Sequence, residues 1–76
     1  MIAFTVAILQ KQFGNLIRKR REAAGLSQEV LADKAGLHRT YISLLERGLR
    51  MPSILVLKQL ASALNTTMTS LVAELE

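Results

Sequence analysis

The chain has 76 residues, half of them apolar, with ten basic and six acidic side chains, a formal net charge of +4, one histidine and no cysteine. This length builds one domain, and a domain this small buries only about 60% of its unfolded surface, so the apolar share leaves a surplus for a second copy or a partner to cover. Disulfides, thiolate nucleophiles and Cys-based zinc sites are excluded, the single His38 is too little for a metal pair or a His-centred triad, and no apolar run reaches the roughly 18–20 residues that span a membrane.

The start of the chain is apolar but has neither a basic lead-in nor a small-residue cleavage site, so it is not read as a signal peptide. Ile2, Phe4, Val6 and Ile8 alternate with Ala3, Thr5 and Ala7. This period-two, β-branched pattern fits a short strand paired with the same strand of a second chain. An apolar helical lead-in and a partly ordered tail are the other readings. A first helix follows from about Phe13 to Ala24, with Phe13, Leu16, Ile17 and Ala24 in a helical stripe. Lys11, Arg18, Lys19, Arg20 and Arg21 concentrate positive charge there, which favours anionic partners, nucleic acid first.

The four glycines, Gly14, Gly25, Gly36 and Gly48, are read as closing short helices. Ser27 caps a second helix, Gln28 to Ala35, with Glu29 in its first turn. A third runs from Arg39 to Arg47. Pro52 and Ser53 open a fourth, Ile54 to Leu64, with Asn65 as its left-handed end. Thr67 caps a last helix, Met68 to Leu75. The chain is therefore expected to be all-α.

The informative stretch is QEVLADKAGLHRTYISLLER, Gln28 to Arg47. Ala32 is small where two helices would cross, Gly36 supplies the turn, Leu37 plugs the core behind it, and Leu31, Ala35, Ile42 and Leu45 complete an apolar side. These offsets together suit a helix-turn-helix. With GLSQEVLADKAGLHRTYISLLERG followed by RMPSILVLKQLASALN, the chain resembles the helix-turn-helix family of phage repressor and Cro proteins. The RTYIS segment with ERG behind it is also similar to the small controller proteins of restriction–modification systems. The resemblance implies a compact five-helix, lambda-repressor-like DNA-binding domain over residues 12–76, preceded by an apolar arm at 1–11. It also implies a cytoplasmic regulator acting on double-stranded DNA, with no cofactor.

In such a fold the second helix of the motif lies in the major groove, its N-terminal residues nearest the bases. By resemblance, Arg39 and Thr40 reach base edges, with Ser43 or Leu44 one turn on. Arg39 can span guanine O6 and N7. Tyr41 reaches a phosphate or a base edge, and Leu44 meets a thymine methyl. A solvated Arg39 and a core-rim Leu44 are the plainer alternatives. Gln28 is a phosphate ligand at the start of the second helix. Arg18, His38, Arg47 and Arg50 are further phosphate candidates, although His38 is a poor N-cap residue. Family resemblance pairs Arg21 with Glu46 as a structural ion pair, with a phosphate contact by Arg21 left open. Met68, Leu71, Val72 and Leu75 are expected to form the interface of a homodimer on a palindromic site.

A chain this short has no room for a ligand-sensing domain, so no small-molecule effector is expected. An antitoxin-like regulator whose main partner is another protein is the competing reading, supported by the apolar arm. No activated nucleophile, carboxylate pair or phosphate loop supports an enzyme.

Overall fold

Capping side chains and left-handed residues divide the chain into its elements. The computed structural model describes residues 2–75, and side chains from residue 5. It has five helices: α1 (Ile2–Ala23), α2 (Gln28–Ala35), α3 (Arg39–Glu46), α4 (Ile54–Ala63) and α5 (Met68–Ala73). No strand occurs among the described residues. Ser27, Ser53 and Thr67 each accept a hydrogen bond from a backbone N–H of the following helix, at Val30, Val56 and Ser70. Each such bond satisfies one of the orphan donors of a helix N-terminus. Gly36 ends α2 at φ 69°, and Asn65, at φ 55°, follows α4.

The core is built from Phe13, Leu16 and Ile17 of α1, Leu31, Ala32 and Ala35 of α2, Ile42 and Leu45 of α3, Leu57, Leu60 and Ala61 of α4, and Leu71 of α5. Leu26, Leu37 and Tyr41 pack on its edge. Every residue of this core is apolar. The helix-turn-helix, α2 and α3, thus rests on a scaffold of α1 and α4.

Two expectations are corrected and a third is narrowed. The first helix starts at Ile2, eleven residues before Phe13, so the strand reading of the arm does not hold. The period-two pattern misleads because the alternate residues are Ala and Thr: the segment has no charged face by which to read a period, and nothing in it breaks a helix. Gly14 does not close a helix but lies within α1. An added Cβ there would meet the carbonyl oxygens of Leu45 at 2.3 Å and Glu46 at 2.8 Å, so the missing side chain lets α1 lie directly on the end of α3. Finally, Leu71 is fully buried in the core, Met68 and Leu75 pack against it, and only Val72 of the four expected interface residues is exposed. The core takes one face of this six-residue helix and leaves Thr69, Val72 and Ala73 on the other.

Gly14→Ala is expected to cost about 3 kcal/mol or more by overpacking against backbone that cannot move aside. That corresponds to a melting temperature lower by at least about 10 °C for a domain of this size. Gly25→Ala, at φ 72° with open space around the added Cβ, carries only backbone strain of about 1–2 kcal/mol. Equal losses for the two variants in thermal melts would contradict the close approach.

Candidate nucleic-acid interface

Glu46 ends α3 with its side chain only 4% exposed, and Arg21 of α1, 12% exposed, lies against it. Arg21 donates from Nε to Glu46 Oε2 at 2.7 Å and from Nη2 to Oε1 at 3.0 Å. Its Nη1 donates to the Leu26 carbonyl at 2.8 Å. Gln28 Nε2 adds a third donor to the carboxylate, on Oε1 at 3.0 Å. One desolvated carboxylate thereby joins α1, the start of α2 and the end of α3. The hydrogen bonds to Glu46 raise the Arg21 pKa above its ordinary value against the opposing effect of burial. The guanidinium therefore stays charged at any pH the fold meets, and alkali does not release the pair from the Arg21 side. No buried side-chain nitrogen or oxygen among the described residues lacks a hydrogen-bond partner.

The other end of α3 is fixed by His38, its N-cap, whose Nδ1 accepts a hydrogen bond from the Thr40 N–H at 3.1 Å. His38 thus does the work usually given to Ser, Thr or Asp: a ring nitrogen one bond from Cγ stands where a hydroxyl or carboxylate oxygen otherwise would. Between the N-terminal turns of α2 and α3 lies an open concavity of about 200 Å³ lined by Gln28, Arg39, Thr40 and Ser43. Arg39 and Thr40 are exposed on its α3 side, and Ser43 is half-buried one turn on.

Other sequence-derived candidates lie elsewhere or are already occupied. The Gln28 amide is turned to Glu46, which leaves the backbone of the first turn of α2 as the donor there. Tyr41 is half-buried against the core and Leu44 is half-buried. Arg18 stands on the exposed side of α1, 3.4 Å from Glu22. Arg47 and Arg50 are exposed beyond the end of α3, and neither forms an ion pair with a described residue. Sequence reading missed the Gln28 and Leu26 bonds. It also missed an ion pair between Arg20 and Glu74, with Nε to Oε2 at 3.0 Å, which fastens the end of α5 to α1. These two residues are 54 positions apart, and no local pattern announces the pairing.

Glu46→Ala is expected to leave Arg21 charged in a nearly dry site and to cost about 3 kcal/mol, read as a melting temperature more than about 10 °C lower. Gln28→Ala removes one neutral donor and is expected to cost about 1 kcal/mol. Circular-dichroism melts of the two variants check the ranking, and an unchanged Glu46→Ala curve would remove the network from the account of stability.

Residues 17–71 match the model of a helix-turn-helix family. An HTH-type transcriptional regulator of Mycobacterium tuberculosis is 46% identical over 54 residues, 71% of this chain; the match spans only 39% of that relative's length. The control protein C.MunI of a Mycoplasma species is 38% identical over 66 residues, 86% of this chain and 89% of the relative. Among solved structures, the restriction–modification controller protein C.AhdI from Aeromonas hydrophila superposes with a TM-score of 0.79 at 42% identity, covering 82% of this chain and 94% of that one. With more than half of its length matched by the family model and its α2–α3 pair built on a glycine turn, the chain belongs to the helix-turn-helix family.

Proposed function

We propose that the chain is a sequence-specific DNA-binding transcriptional regulator that acts as a homodimer, with α3 as its recognition helix. The observation that carries this reading is the convergence of Gln28, Arg39, Thr40 and Ser43 on one open concavity at the N-terminal ends of α2 and α3. An exposed arginine at the first position of a helix that enters the major groove can donate two parallel bonds to guanine. Thr40 and Ser43 offer hydroxyls to neighbouring bases. The free N–H groups at the start of α2 and the exposed His38, Arg47 and Arg50 suit backbone phosphates, which set register and affinity rather than sequence choice. The relatives named as a transcriptional regulator and as controller proteins support the same reading.

Assembly follows from the apolar surface. Between α4 and α5 an open groove of about 390 Å³ is lined by Ile54, Leu57, Met68, Thr69, Val72 and Ala73. Two copies related by a two-fold axis through this face present two recognition helices to one side of the duplex. Their separation is then about one helical turn, roughly 34 Å, and the site is palindromic.

Selection of bound DNA from a random pool is expected to return a palindrome with half-sites about one turn apart. Arg39→Ala is expected to lose the preference for at least one guanine in each half-site, at about 1–3 kcal/mol, while keeping non-specific binding. With six to ten phosphate contacts per dimer, affinity should fall by roughly 10³–10⁵ between 50 and 200 mM salt. A pool that shows no enriched sequence would refute the proposal, and a regulator whose main partner is a second protein would then take its place.

A further inference from the structure

We propose that Lys11, on α1 and outside the helix-turn-helix, grips the DNA backbone together with Arg47 and Arg50. This rests on the DNA-binding reading above and extends the nucleic-acid surface onto the first helix. Lys11 precedes Gly14 by three residues, so the two share a face of α1, the face laid on the end of α3. A Cβ on Gly48 would stand 3.2 Å from Lys11 Cα, 3.2 Å from its Cγ and 3.3 Å from its Cδ. The stem of Lys11 therefore runs along the backbone of the α3–α4 loop at the residue after Arg47 and two before Arg50. Gly48 is buried in this contact, whereas Lys11, Arg47 and Arg50 are exposed. A lysine packed along its stem keeps its ammonium in water.

Nothing in the chain compensates these charges. No acidic residue occurs among residues 1–21 or 47–73. The carboxylate that ends α3, Glu46, is turned to Arg21 and Gln28. Lys11, Arg47 and Arg50 form no ion pair with a described residue. Their place relative to Arg39 supplies the anion. The eight residues of α3 extend about 12 Å, which is also about the width of the major groove. With Arg39 at the bases, cations beyond the far end of α3 stand at the strand that walls the groove, where the anions are phosphates. The loop also orders most of the Lys11 stem before DNA arrives, so less side-chain freedom is lost when the ammonium meets a phosphate.

The test is the salt dependence of DNA binding by the full chain, by Lys11→Gln, by Lys11→Arg and by Lys58→Gln. Lys58, on α4 beside Ser62, Thr66 and Met68, controls for net charge alone. Fluorescence anisotropy between 50 and 200 mM salt is read on the palindrome selected from the random pool and on an unrelated duplex of equal length. Lys11→Gln is expected to lower the slope of log affinity against log salt by about 0.9 for each chain bound, equally on both duplexes. Lys11→Arg is expected to keep the slope, and the melting temperature of Lys11→Gln to stay unchanged, since glutamine is a good helix former. A slope changed no more than by Lys58→Gln would overturn the contact. A lower melting temperature with an unchanged slope would also overturn it, leaving Lys11 as a cation serving the carbonyls at the end of α3. If no sequence is enriched but Lys11 still carries its share of the slope, the backbone grip stands and the base reading falls. If the unsubstituted chain binds neither duplex, both fall.

Discussion

The arrangement of the helix-turn-helix depends on one carboxylate. Glu46 sits almost out of water at the end of α3 and receives three hydrogen bonds, two from Arg21 and one from Gln28. A carboxylate so placed is costly to desolvate, and only a full set of donors offsets that cost. The donors come from two other helices, so satisfying the charge also sets where α1, α2 and α3 stand. Arg21 closes the arrangement by donating from its third nitrogen, Nη1, to the Leu26 carbonyl in the α1–α2 loop. The concavity at the ends of α2 and α3 keeps its shape because Gln28, one of its lining residues, is held from behind by that carboxylate.

The same accounting changes the meaning of the basic first helix. Its three arginines Arg18, Arg20 and Arg21 each have a carboxylate partner, in Glu22, Glu74 and Glu46. Half of the six acidic residues of the chain are thus engaged with α1. Arg39, Arg47 and Arg50 are exposed and form no ion pair with a described residue, so the arginines without a carboxylate partner all lie at α3 and just beyond it. A surplus that composition spreads over two segments is thereby biased towards one.

What the sequence revealed is what short-range physics controls. The serine and threonine caps, the left-handed Gly36 and the inward Leu31, Ile42 and Leu45 are each decided within a few residues of their own position. What it hid depends on distance or on competition. Gly14 looks like any helix-closing glycine until α3 is laid across it. Arg20 and Glu74 meet only after α5 has docked. The apolar positions of α5 suit both a core and an interface, but the short helix commits Leu71, Met68 and Leu75 to the core, and the outward apolar surface combines Val72 with Ile54 and Leu55 of α4. The place of Gln28 at a helix start suits a phosphate ligand, and the same place brings its amide within reach of Glu46.

The imidazole cap of α3 has a consequence for the kind of contact this end of the helix can make. Because Nδ1 of His38 accepts a hydrogen bond from Thr40, the neutral ring must carry its proton on Nε2. The tautomer is therefore chosen by the backbone, and the edge of the ring away from the helix is a donor without net charge. Such a donor can hold an anionic oxygen while displacing no condensed counterion, so its share of affinity is indifferent to salt where that of an arginine is not.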